Sequence, residues 1–181
     1  MYRSKSNPQV LLRPQDLVVL LRLSLEKGLP PTYAVLGSEL GLTASEVHAG
    51  LERATLAQLA RKDKAGKATV VREALRLFVQ HGARYAFPAT RGEVSRGMPT
   101  GYAAAPLKDK IVQPNEPLPV WPHKAGSVRG EAFHPLYPTV PEAAARNPAL
   151  YELLVLFDAV RGGSPRERAI ALQMIDERLA P

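Results

Sequence analysis

Ser45, His48, Ala49 and Glu52 recur at the three- and four-residue spacing of one helical face. Stepping 100° per residue from Val47, they fall on the side opposite Val47, Leu51 and Ala54, which lie within about 60° of one another and must point inward. Short or hydrogen-bonding side chains on the N-terminal half of an exposed helix suit contact with base edges in a major groove. Glu52 fits that role only where it accepts from a cytosine amino group, because nearby phosphates repel a carboxylate. Arg53 lies on the same helix, and Arg61, Lys62, Lys64 and Lys67 follow it, with Gly66 in a turn. Cations in that position neutralise backbone phosphates. Arg91 and Arg96 sit among Gly92 and Gly97 in a second segment of the same character, which reads either as a loop entering a minor groove or as ordinary surface. A purely structural capped helix followed by a solvated lysine run fits the same pattern.

Other chemistries find little support. The four histidines, His48, His81, His123 and His134, show no H-x-x-x-H, H-x-H or H-E-x-x-H spacing, so a metal site would need distant pieces. With no cysteine, thiolate zinc sites, iron-sulfur clusters, disulfides and cysteine nucleophiles are excluded. No G-x-S-x-G turn, P-loop or dinucleotide fingerprint is present. The expectation is a protein that is not an enzyme, with no cofactor and no metal.

The distribution of charge points the same way. Of 181 residues, 24 are Lys or Arg and 17 Asp or Glu, a formal charge of +7. Residues 1–86 carry 13 cations and 7 anions, net +6; residues 87–141 carry 6 and 4, net +2; residues 142–181 carry 5 and 6, net −1. A surplus concentrated at one end asks for a polyanion there. The apolar run at residues 17–21 is far below the roughly 20 residues of a membrane helix, and the N-terminus lacks a signal-peptide pattern, so the expected location is cytoplasmic.

The elements that must position these residues are punctuated by caps and breakers. Pro14 at a first helical position and Gly28 as a stop bound a first helix over about residues 14–27, whose apolar surface is wide enough to be covered on two sides, by its own domain and by a second subunit. Pro30 and Pro31 precede a short helix over about 32–40, ended by Gly41. Thr43 and Glu46 form a T-x-x-E capping box that opens the third helix. Short helix, glycine turn plugged by Leu42 and capped helix together make a helix-turn-helix unit. A further helix follows, with Val70, Val71, Ala74, Leu75, Leu77, Phe78 and Val79 as its apolar content and Gly82 as its stop. Arg84–Phe87 then reads as a strand and 100–103 as its return.

Ten of the 17 prolines lie in residues 87–141, which rules out a long helix there. Trp121, His123, Arg129, Glu131, Phe133, His134 and Tyr137 in that segment either line a ligand pocket or wrap a domain surface. Two helices close the chain. Asn147 caps the first and Pro148 opens it, and Ser164 with Glu167 forms a second capping box ahead of the other. Arg161, Arg166 and Arg168 gather at the turn between them.

The order helix, helix, turn, capped helix, basic loop, helix, hairpin resembles that of bacterial winged helix-turn-helix transcriptional regulators, broadly the MarR-like proteins, with Leu36, Leu40, Leu42, Val47 and Leu51 at the plug and core positions. The resemblance covers about residues 10–105. It implies a mainly α fold with a winged helix-turn-helix and a β-hairpin, followed by a proline-rich extended segment over 106–141 and a C-terminal helical hairpin over 142–181. Such regulators enter the wing directly after the recognition helix. Here the apolar stretch 70–79 intervenes, so the wing is expected at 83–105. The function implied is sequence-specific binding of double-stranded DNA in transcription regulation, as a homodimer, with Ser45, His48, Ala49 and Glu52 reading bases and Arg53, Arg61, Lys62, Lys64, Lys67, Arg91 and Arg96 holding phosphates. The alternative is an antitoxin-like or neutralising protein that holds a protein partner through residues 147–179, using Leu150, Leu153, Leu154, Phe157, Ile170, Met174 and Ile175.

Overall fold

The computed structural model describes residues 9–112 and 115–180. Helix α1 (Pro14–Ser24) starts as its proline and acid require, with the Asp16 carboxylate accepting from the Arg13 amide at 2.9 Å. Its last turn tightens, Leu25 and Glu26 bonding to carbonyls three residues back, and the helix stops short of the expected residue 27 as Lys27, Gly28 and Leu29 emerge into solvent. Every residue from Asp16 to Ser24 is buried. The expected two-sided cover is present, and it comes from this chain's own elements.

Helix α2 (Tyr33–Leu40) is capped by Thr32, whose hydroxyl accepts from the Val35 amide, and ends at Gly41 with φ of 68°, a left-handed position that suits glycine. Helix α3 (Ala44–Leu56) opens with the capping box intact: Thr43 Oγ1 accepts from the Glu46 amide at 3.1 Å and Glu46 takes the Thr43 amide at 2.7 Å. Val47, Leu51 and Ala54 are buried against α1 and α2 as their spacing demands.

A two-stranded hairpin follows α3 directly. Strands β1 (Ala60–Lys62) and β2 (Ala68–Val70) pair antiparallel, with Arg61 opposite Thr69. Their turn is held by Asp63, whose carboxylate accepts from the amides of Ala65 and Lys67, while Gly66 takes a φ of 77°. The hairpin was expected at 83–105 and stands instead at 60–70. Residues 83–105 form no hairpin. Ala83–Ala86 is a short helix, α5, following helix α4 (Arg72–His81). Ala83 and Phe87, four residues apart, are both buried while Tyr85 and Ala86 are exposed, a helical period rather than an alternating one, and Phe87 meets Phe78 edge-on at 6.3 Å. The expected return strand at 100–103 is a 3-10 turn.

The middle segment contributes to a second sheet. Strand β3 (Arg91–Pro99) pairs antiparallel with both β4 (Pro119–Pro122) and β5 (Val128–Phe133), and β4 pairs parallel with β5, closing three strands into a small barrel. Residues 91–99, assigned by sequence to the N-terminal module, therefore share a sheet with residues 119–133. So tight a closure leaves no room for side chains where strands cross: a Cβ on Gly97 or Gly130 would collide with the backbone of Trp121 or Leu118.

Three helices complete the chain: α6 (Val140–Arg146), not anticipated from the sequence, then α7 (Pro148–Gly162) and α8 (Pro165–Leu179), capped by Asn147 and Ser164 as expected. Helix α7 is buried from Leu153 to Arg161 and packs on α1, α4, α5, α6 and α8. It also anchors the barrel. Asp158, 2% exposed, accepts from Trp121 Nε1 at 2.6 Å, Thr100 Oγ1 at 2.7 Å and Arg161 Nε at 2.8 Å, while Arg161 Nη2 donates to the His134 carbonyl. The buried carboxylate thus has a donor on every side its charge requires. No helix among the described residues is long and apolar enough to cross a membrane.

Candidate nucleic-acid interface

Capping at Thr43 and burial at Val47 and Leu51 fix the rotation of α3, and so decide which side chains face outward. Ser45 and His48 are exposed, Ala49 and Glu52 half-buried. The His48 ring lies 5.6 Å from that of Tyr33 at the start of α2, tilted by 52°. One turn further on, His48 Nε2 is 3.4 Å from Glu52 Oε1, and Glu52 is also ion-paired with Lys62 of the hairpin. That lysine hydrogen bond holds the Glu52 carboxyl below its ordinary pKa. A continuous polar row therefore runs from Tyr33 along α3 to β1. Lys67 Nζ reaches the Pro30 carbonyl at 3.4 Å, strapping the hairpin to the α1–α2 loop, while Arg61, Lys62 and Lys64 stand exposed.

The structure thus brings together Ser45, His48, Ala49, Glu52, Arg61, Lys62, Lys64 and Lys67. Three of the expected phosphate ligands lie elsewhere or are otherwise engaged. Arg53 points back into the fold, its Nε and Nη2 each 2.7 Å from an oxygen of the fully buried Asp16. Gly50 makes this possible, because a Cβ there would come within 2.8 Å of Asp16 Oδ1. Arg91 belongs to the barrel, ion-paired with Glu131, donating to the Gly162 carbonyl and stacked over Phe133. Arg96 is also on β3, exposed, with Arg129 directly opposite on β5.

The residues missed by sequence reasoning follow from these placements. Tyr33 carries a local signal, its position one residue after the Thr32 cap. Arg129 carries none, since only the barrel's register brings it to Arg96. Trp121 and Phe133, read as candidate pocket residues, are buried in the core between barrel and α7. A cleft of about 680 Å³ does open beside Arg91, lined by Glu93, Glu116, Glu131, Glu167 and Tyr102, whose phenol is pushed up by burial and by the neighbouring carboxylates. Among the described residues, no group of three or more His, Asp or Glu side chains is arranged to hold a metal ion. Neither a protein-family model, nor a curated protein, nor a solved structure matches the chain.

Proposed function

We propose that this protein is a sequence-specific DNA-binding transcription regulator, built on a winged helix-turn-helix in which α3 is the recognition helix and the 60–70 hairpin is the wing. The observation that carries the reading is the direct succession of α3 and a hairpin with exposed Arg61, Lys62 and Lys64. A helix inserted in a major groove by its Ser45, His48 and Ala49 face would set such a hairpin against the adjacent backbone, where cations neutralise phosphate. The protein acts as a homodimer, because one helix of 13 residues reads few base pairs and two-fold pairing doubles the contact.

The test is a fluorescence-anisotropy titration of the protein with DNA upstream of its own gene against random duplex of equal length at moderate salt. The expected result is a preference of at least 10³-fold for the upstream DNA, in the range of specific regulators. Equal affinity for the two duplexes would overturn the reading. Light scattering of the free protein at micromolar concentration reads the dimer separately.

The partner-neutralising alternative draws less support. Leu150, Leu153, Leu154, Phe157 and Ile175 lie in the chain's own core, and Ile170 and Met174 are half-buried against it, so the apolar surface that this reading called on already has an occupant.

A further inference from the structure

On β3 and β5, Arg96 and Arg129 are directly opposite in an antiparallel pair, so their Cβ atoms stand about 5 Å apart on one face. Both side chains are exposed, and among the described residues neither has an ion-pair or side-chain hydrogen-bond partner. Like charges in that register oppose folding unless an anion lies over them. Beside them the β4–β5 turn carries His123, whose amide bonds to the Arg96 carbonyl, and the exposed Lys124. Arg96, His123 and Lys124 line one open cleft of about 590 Å³ with Pro122 and Glu142. The single carboxylate there, Glu142, is 3.2 Å from His123 Nε2.

The position of this patch relative to α3 is fixed by α6. Thr139, just ahead of α6, donates to the Leu40 carbonyl at 2.6 Å and packs its methyl against Gly41, and Arg146 reaches the Ser38 carbonyl. Glu142, which meets His123, lies three residues beyond Thr139, about 4.5 Å along a helix axis. The basic turn of the barrel is therefore joined through α6 to the α2–α3 turn, at the N-terminal end of α3. The cationic hairpin is at the other end, about 20 Å away along a 13-residue helix.

We propose that Arg96, Lys124 and Arg129 form a second phosphate-binding site for duplex DNA, which grips the backbone on the flank of the α3 footprint opposite the 60–70 hairpin. This rests on the DNA-binding reading above. The α3 helix is then bracketed, with phosphate contacts at both ends and base contacts between.

The test compares the full-length protein with two variants, Arg96→Gln/Lys124→Gln/Arg129→Gln and Arg61→Gln/Lys64→Gln, on the duplex that binds most tightly. All five positions are exposed, so circular dichroism melting first establishes that each variant is folded. The barrel variant should flatten the slope of log K against log salt by up to about 2.7 per protomer, about 5.4 for the dimer, at 0.9 per lost phosphate contact, and lose hydroxyl-radical protection on one flank of each half-site only. The hairpin variant should lose protection on the other flank. An unchanged slope and footprint in the barrel variant, while the hairpin variant loses both, would overturn the second site and leave the DNA reading standing; that outcome would assign the arginine pair to an acidic protein surface. Failure of the unsubstituted protein to bind any duplex would overturn both.

Discussion

Asp16 of α1 and Arg53 of α3 meet through two parallel hydrogen bonds of 2.7 Å, with the carboxylate fully buried and the guanidinium mostly so. This fork ties α1 to the proposed recognition helix and, with the Thr43 cap and the buried Val47 and Leu51, holds the rotation of α3, so Arg53 bears on which side chains face outward without facing outward itself. Arg53→Ala would leave the buried Asp16 carboxylate without its charged partner, with only the Arg13 amide as a donor, a loss of about 3–5 kcal/mol in urea unfolding. Replacing the pair together by Leu and Met should recover most of that stability. A loss under 1 kcal/mol for the single variant, with a lowered salt slope for DNA, would return Arg53 to the phosphate-binding set.

Glu52 is the one anion on the candidate reading face, and its carboxylate is shared between His48 and Lys62. In the free protein this pairing restrains Lys62. Contact with a cytosine amino group would replace Lys62 as the donor and release the lysine to a phosphate. Glu52→Ala should therefore bind random DNA more tightly while losing about 1–3 kcal/mol of discrimination at one base pair. Selection from a randomised duplex library reads this directly: the unsubstituted protein should select C·G at one position that the variant accepts as any pair. Identical selected sequences would exclude Glu52 from base contact.

Salt dependence separates the cations by place. Lys64→Ala should flatten the slope of log K against log salt by about 0.9 per protomer, about 1.8 for the dimer, because its side chain is exposed on the hairpin turn. Arg91→Ala should leave the slope unchanged, since Arg91 is held by Glu131, the Gly162 carbonyl and the Phe133 ring. Equal effects of the two substitutions would mean that DNA covers the mouth of the barrel at Arg91.

What could be read from the sequence was what local signals encode. Pro14, Thr32, Gly41, the Thr43–Glu46 box, Asn147 and Ser164 each act within four residues, and the helices begin where these signals place them, although the Ser164 cap forms without the return bond from Glu167 to the Ser164 amide. The 60–70 hairpin went unrecognised because its strands are three residues each, β1 carries Arg61 and Lys62 where an alternating apolar pattern would announce a strand, and Val70 of β2 reads as part of the following apolar helix. The barrel was hidden for another reason. Its register pairs Arg96 with Arg129 and Gly97 with Pro122, partners more than 20 residues apart with no hairpin turn between them. Arg53 misled because its neighbours are polar; its true partner, Asp16, lies on another helix, and only Gly50 hints at the close approach.

Tyr151 offers a pH-dependent check on how the barrel is fastened to α7. Its hydroxyl donates to the Pro99 carbonyl at 2.6 Å and its ring lies 5.6 Å from that of Trp121. Burial pushes the phenol up to about 12 from its ordinary value of 10. A group whose pKa is raised on folding contributes stability that is fully present below the unfolded value and is lost as pH climbs through the folded one. Stability should therefore fall between about pH 10 and pH 12, and the difference between the unsubstituted protein and Tyr151→Phe should shrink over the same window. Ultraviolet difference titration should show the unsubstituted protein and Tyr151→Phe forming the same number of tyrosinates near pH 10, with one more forming near pH 12 in the unsubstituted protein. If Tyr151→Phe leaves the pH dependence of unfolding above 10 unaltered, the hydroxyl is not the group that fastens β3 to α7, and the junction of barrel and α7 would rest on the Asp158 hydrogen bonds to Trp121 and Thr100 and on Arg91 at the Gly162 carbonyl.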